Sequence, residues 1–87
     1  MHEASLISDL VHRIERLATE EGAKRVTRVS VWVGALSHMS AEHFREHFSH
    51  AAAGTIAEAA DLSVQVSTEL DDPNAQSLLL QSVEIDM

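Results

Sequence analysis

The chain of 87 residues carries 6 basic and 14 acidic side chains, a formal net charge of −8, and its length suits one small domain. The acidic excess argues against binding to nucleic acid, and the absence of cysteine excludes disulfides, zinc ribbons, iron–sulfur clusters and a cysteine nucleophile. No apolar run approaches the ~18 residues that span a bilayer, and the N-terminus lacks the pattern of a signal peptide, so we expect a cytoplasmic protein without membrane contact.

The first two predicted elements are a helix and a strand. Between residues 4 and 21, apolar residues recur three and four positions apart, which indicates an amphipathic helix that Gly22 ends. The members of this apolar stripe are Leu6, Ile7, Leu10, Val11, Ile14, Leu17 and Ala18. Residues 25–34 alternate between apolar and other side chains, which is typical of a strand with one buried face. The inward positions of this strand are Val29, Val31 and Val33.

The rest of the chain predicts one more helix and two more strands. The helix is expected over residues 40–54, with Ser40 in position to cap it, and a strand follows over residues 61–68. Turn-forming residues mark a loop over residues 69–76, and the stretch SLLLQSVEIDM predicts a final strand. The apolar positions expected inside are Phe44, Phe48 and Ala51 in the helix, Leu62, Val64 and Val66 in the first of these strands, and Val83, Ile85 and Met87 in the second.

Together these elements predict an α+β fold, a single domain over residues 1–87 with the order α-β-α-β-β. Each helix has one apolar stripe and each strand one apolar face, so we expect both helices to cover one face of a small three-stranded sheet. The short loop between the last two strands predicts that they pair as an antiparallel hairpin. The uncovered face would be largely polar and would carry Arg28, Ser30, Trp32, Ser63, Gln65, Glu84 and Asp86.

The chain begins Met-His-Glu, and this terminus is a candidate metal site. The terminal amine of Met1, a backbone amide nitrogen and the imidazole of His2 can close fused chelate rings on one cation. The amide nitrogen of Glu3 lies within reach as a fourth ligand. Four nitrogens in a plane suit Ni(II) or Cu(II), and not Zn(II), which prefers a tetrahedron. Residue chemistry alone leaves the alternative of a solvated terminus that binds nothing.

Histidines elsewhere form a second candidate. His43, His47 and His50 are spaced four and three apart, so they share one face of the second predicted helix. A pair of histidines four apart can bind a metal, and the competing interpretation is an exposed face with weak, adventitious affinity. His38, in the preceding loop, is either a surface residue or an additional ligand to an ion held by the terminus.

No pattern in the sequence indicates a catalyst. The serines lack a nucleophile-elbow motif, no glycine-rich phosphate loop is present, and paired carboxylates occur only at positions predicted to be exposed. We therefore expect that the protein is not an enzyme.

Several stretches of the chain match one known pattern in register: MHEASL at the start, GAKRVTRVSVWVGALS, the F-x3-F of the second helix, GTIAEAADLSV and the closing SVEID. In combination they resemble the HypA/HybF nickel incorporation proteins. The resemblance implies a nickel-binding metallochaperone that delivers Ni(II) for maturation of NiFe-hydrogenase, or of urease in some bacteria. It assigns the nickel ligands to Met1 (amine), His2 (imidazole and amide) and Glu3 (amide).

The resemblance also implies partners for the bound ion. Nickel would pass to a nickel GTPase accessory protein, to the hydrogenase large subunit or to the urease machinery. Delivery requires ready release, so we expect micromolar affinity, about −8 kcal/mol. This affinity should fall at low pH, because the imidazole and amide must lose protons to bind. A domain with so small a core is also a candidate for homodimerisation.

The sequence departs from the family pattern in two places. The family carries a zinc module with two CxxC pairs between its last two strands, whereas this chain has the loop ELDDPNAQ, residues 69–76, so we expect no structural zinc. The family often has an acidic residue where this chain has Ser40, with Glu42 two residues on. A domain without the zinc module could instead be a metal-independent protein-interaction module of the same origin, docking through the first helix or through the sheet face of Arg28 and Trp32.

Overall fold

A computed structural model describes residues 3–37 and 39–87 of the chain. Helix α1 spans Glu3–Glu20, strand β1 Arg25–Val33, helix α2 Ala41–Ala52, strand β2 Asp61–Val66 and strand β3 Leu78–Asp86. The predicted order α-β-α-β-β and the α+β fold with a three-stranded sheet are confirmed. Within these described residues, neither helix combines the length and the apolar content that a membrane span requires.

The sheet has the strand order β2-β1-β3, with β1 in the centre. β1 pairs in parallel with β2, placing Val31 opposite Val64, and antiparallel with β3, placing Val31 opposite Leu80. The predicted hairpin between the last two strands is therefore wrong. The valines of β1 are the most deeply buried side chains of the sheet, and the central position shields them from both sides. Helix α2 supplies the crossover that a parallel neighbour needs, which leaves the other edge of β1 to β3.

The core lies between the two helices and one face of the sheet. Its largest fully buried side chains come from α1, β1 and α2: Phe44, Ile7, Ile14, Val11, Val26, Val29, Val31 and Val33. Arg45 of α2 donates a hydrogen bond from Nη1 to the carbonyl oxygen of Leu62 in β2, at 2.8 Å. On the opposite face Arg28 and Glu84 are exposed and Trp32 is half-buried, so the predicted polar face is confirmed.

Four apolar residues that the sequence places inside are exposed. Leu6 and Leu17 are 47% and 43% exposed, because they lie on the flank of α1 that borders β3 instead of on its inward stripe. Val66, at the end of edge strand β2, is 41% exposed, and Met87, which follows β3, is 64% exposed. In α2 the deeply buried alanine is Ala52, whereas Ala51 is half-buried.

The connection between β2 and β3 packs against the end of β1. Ala75 is buried, the amide of Leu36 donates to its carbonyl oxygen at 2.7 Å, and the amide of Gly34 donates to the carbonyl oxygen of Ser77 at 2.9 Å. A Cβ on Gly34 would lie 2.6 Å from the carbonyl oxygen of Asn74 and closer still to that of Ala75. Loop 69–76 is therefore a docked turn, and a side chain at position 34 would push it away.

Both helices run antiparallel to β1 and begin at the same end of the sheet. The first half of α1 borders a groove with Leu78 at the start of β3, and its last turn borders a groove with Ile85 near the end of β3. After α2 the chain returns to the start of β1, where the amide of Val26 donates to the carbonyl oxygen of Ile56 at 2.9 Å. The first residues of α1 and α2 therefore both lie at the end of the sheet where β1 finishes.

Candidate metal sites

The terminal site predicted from the sequence is described only in part. Met1 and His2 lie outside the described residues, as does His38. Glu3 is the first residue of α1. The first four N–H groups of a helix have no partner within it. The amide of Glu3 is therefore not required by the helix, and this is the condition for its use as a metal ligand.

The first turn of α2 lies at the same end of the sheet and is fixed by Ser40. The backbone of Ser40 is extended (φ −80°, ψ 162°), and its Oγ accepts a hydrogen bond from the amide of His43 at 3.0 Å. Glu42 lies in this first turn, where a carboxylate interacts favourably with the helix dipole. The predicted cap is thus confirmed, and Ser40 holds the turn that carries His43.

His43 and His47 face each other one turn apart on α2. Their Nε2 atoms are 2.8 Å apart, their ring centroids 4.6 Å apart and their planes inclined at 40°. His43 is exposed and His47 half-buried, and one ring donates an N–H to the other. The sequence spacing predicted a shared helix face for these residues and His50. His50 is exposed in the last turn of α2, and the short contact joins only the other two.

Carboxylates surround the first histidine of this pair. Ser40, Glu42, His43 and Glu46 line one shallow depression on the surface. Two carboxylates beside an imidazole favour the approach of a cation. Within residues 3–37 and 39–87, no group of three or more His, Asp or Glu side chains is arranged to hold a metal. An ion bound to the histidine pair would therefore need water or another small ligand to complete its coordination.

An apolar groove runs between α1 and β3. It is lined by Leu17 and Ala18 on the helix and by Leu80, Val83 and Ile85 on the strand, together with polar neighbours. If the protein is a metal-independent interaction module, the exposed flank of α1 beside this groove is one of the two surfaces through which it would dock.

Comparison with known proteins identifies the family. The family described as "Hydrogenase/urease nickel incorporation, metallochaperone, hypA" matches residues 1–70. The hydrogenase maturation factor HypA of Chlorobium limicola is 38% identical over 65 residues, and that of Archaeoglobus fulgidus is 42% identical over 66 residues. These matches cover 75% and 76% of this chain but 56% and 60% of the two relatives. The Escherichia coli hydrogenase maturation factor HybF is 39% identical over 64 residues, 74% of this chain and 57% of that protein.

Solved structures show the same fold. The solution structure of the Ni metallochaperone HypA from Helicobacter pylori superposes with a TM-score of 0.79 at 20% sequence identity, covering 99% of this chain and 98% of that one. A second solution structure of a HypA protein superposes with a TM-score of 0.77 at 21% identity, covering 98% and 96%. The fold is thus that of HypA proteins of known structure. From the family match and these relatives, the chain belongs to the HypA family of hydrogenase maturation factors.

Proposed function

We propose that this protein binds one Ni(II) ion at its N-terminus and delivers it during maturation of NiFe-hydrogenase. The observation that carries the proposal is the Met-His-Glu start in a chain whose first 70 residues match a nickel-incorporation family. The curated relatives are named as hydrogenase maturation factors, which favours hydrogenase over urease as the target. The receiving proteins would be a nickel GTPase accessory protein and the hydrogenase large subunit.

The proposed ligands are four nitrogens in one plane. Met1 supplies its terminal amine, His2 its imidazole and backbone amide, and Glu3 its backbone amide. The position of Glu3 at the start of α1 supports this set, because the helix makes no use of that amide. A planar set of nitrogens selects Ni(II) or Cu(II) over ions that prefer a tetrahedron or oxygen ligands.

The fold does not depend on the proposed nickel site. The residues that follow it form α1, which is anchored by the deeply buried Ile7, Val11 and Ile14. The core that these side chains join is aliphatic and aromatic and contains no buried polar or charged side chain among the described residues. Nickel can therefore leave the terminus for a partner without removing anything on which the fold depends.

The test is a nickel titration by calorimetry, with the absorption spectrum recorded alongside. Protein with a free Met1 should bind one equivalent at the terminus with affinity of micromolar order, and this equivalent should show the d–d band of planar nitrogen coordination. His2→Ala, or one extra residue before Met1, should weaken this binding at least tenfold, about 1.4 kcal/mol, because either change breaks the fused chelate rings.

His12→Ala is the matched control, since His12 is an exposed histidine on the same helix as Glu3. It should leave the titration unchanged. Equal binding and equal spectra for the parent and His2→Ala would contradict the terminal site. If a complex with the hydrogenase large subunit also formed equally well with and without nickel, the metal-independent interaction module would be the better description.

A further inference from the structure

We propose that His43 and His47 of α2 form a second transition-metal site, separate from the N-terminal residues, that accepts Ni(II) or Cu(II). The proposal rests on the direction in which the two rings point. Spacing of four along a helix only puts two histidines on one face, whereas here both Nε2 atoms converge, at a separation of 2.8 Å.

The separation of the two Nε2 atoms matches one edge of a coordination polyhedron. Two metal–imidazole bonds of about 2.0–2.1 Å at a right angle place their nitrogens about 2.9 Å apart, and a tetrahedral angle would place them about 3.3 Å apart. The observed 2.8 Å, which the hydrogen bond between the rings sets, is close to the right-angle value, so the rings need only turn to direct both lone pairs at one ion. Right-angled nitrogen pairs occur in the square-planar and octahedral complexes that Cu(II) and Ni(II) form.

The hydrogen bond between the rings is what an ion would replace. In the neutral pair one ring carries its proton on Nε2 and donates to the other. A metal requires both Nε2 lone pairs, so the proton of the donor ring moves to its Nδ1. Both rings stay neutral, and water completes the coordination of the ion.

The arrangement is held in place by the packing of α2. Phe44 and Phe48, each one residue beyond a histidine, are 0% and 3% exposed and pack against each other with ring centroids 5.9 Å apart. Burial of this pair fixes the rotation of α2 and keeps His43 and His47 together on the outward side. Ligands that are already positioned lose less freedom on binding.

The surroundings favour a cation. Glu42 and Glu46 line the same depression as His43, and the chain as a whole carries a net charge of −8. These carboxylates are exposed, so they raise the local concentration of cations without being required as ligands.

The experiment uses the full chain in a His2→Ala background, in which the terminal chelate cannot form. Calorimetric titration with Ni(II), and separately with Cu(II), should show one equivalent bound. His43→Ala and His47→Ala should each weaken this binding at least tenfold, while His12→Ala and His50→Ala should change it less than threefold. Both pair variants replace a histidine outside the buried core with the best helix-forming residue, so we expect them to fold.

Ring-nitrogen NMR in the same background gives a readout that a general surface effect would not produce. On nickel addition the Nε2 signals of His43 and His47 should shift or broaden together, while those of His12 and His50 stay unchanged. The proposal is overturned if the His2→Ala protein binds no ion, if His43→Ala binds as well as its parent, or if His50→Ala loses as much affinity as the pair variants. The terminal site is tested by a different comparison, between the parent and His2→Ala with both histidines of the pair present. Either proposed site can therefore be disproved without affecting the other.

Discussion

Ser40 connects the stability of α2 to the position of its histidines. Its Oγ accepts from the amide of His43, one of the helix N–H groups that would otherwise lack a partner. We expect Ser40→Ala to lower the free energy of unfolding by about 1 kcal/mol. Urea denaturation followed by circular dichroism measures this loss.

Two variants separate capping from other effects at this position. Ser40→Asp retains an oxygen acceptor and should keep most of the stability. Ser49→Ala, at an exposed position of the same helix, should change the free energy of unfolding by less than about 0.5 kcal/mol. A Ser40→Asp protein as unstable as Ser40→Ala would show that the hydrogen bond to His43 is not what stabilises α2.

At the level of single residues, the sequence predicts which side chains share a face but not how they point. The spacing of His43, His47 and His50 places all three on one side of α2, and the cap by Ser40 follows from its residue type. The convergence of two Nε2 atoms depends on side-chain rotamers. These depend in turn on how Phe44 and Phe48 pack in the core, which no local pattern contains.

At the level of elements, the close approach of Gly34 to the β2–β3 connection is the most restrictive contact. A methyl group at this position would overlap the backbone of residues 74 and 75. We expect Gly34→Ala to destabilise the protein by about 1–3 kcal/mol, the usual range for forcing extra atoms into a packed site. Chemical denaturation measures the loss.

Hydrogen exchange localises the effect of Gly34→Ala. The amide of Leu36, which donates to Ala75, should exchange faster once the connection is displaced. Gly54→Ala is the comparison, because Gly54 has positive φ (81°) and open space around it, so its substitution strains the backbone without moving the connection. Unchanged protection of Leu36 in Gly34→Ala would contradict the steric argument.

The elements themselves follow from periodicity, whereas their pairing does not. Three-and-four spacing and strict alternation predict both helices and all three strands, with ends that differ by a few residues. Alternation shows which face of a strand is buried but not which strand lies beside it. β2 and β3 are neighbours along the chain, yet both pair with β1. In each pair the register places apolar residues of the outer strand opposite valines of β1.

At the level of the whole molecule, we expect the fold to require no metal. The core of the described residues is made of aliphatic, methionine and phenylalanine side chains, and the chain has no cysteine. Excess chelator should therefore change the melting temperature of the metal-free protein by less than about 2 °C. In so small a domain, a shift of this size corresponds to a fraction of a kcal/mol in the free energy of unfolding. Circular dichroism melts with and without chelator measure it.

Nickel-loaded protein provides the contrast. Its melting temperature should rise with free nickel because the histidine pair of α2 exists only in the folded state, and chelator should return it to the metal-free value. Nickel at the terminus should add little to this rise, because three consecutive residues can bind the ion in the unfolded chain as well. A large fall in the melting temperature of the metal-free protein on addition of chelator would contradict this prediction, because it would indicate a structural metal ion.

The central position of β1 also determines how the chain can fold. Its partners in β3 are remote along the chain, 45 residues away for Val33 with Leu78 and 61 for Arg25 with Asp86. Helices form from local contacts within microseconds, whereas pairing over such distances first requires a long loop to close. Proteins rich in remote contacts fold slowly for this reason. Until β3 pairs, one edge of β1 has unpaired backbone groups that another copy of the chain could bind. We therefore expect the pairing of β3 to be both the slowest step of folding and the step that prevents association between copies.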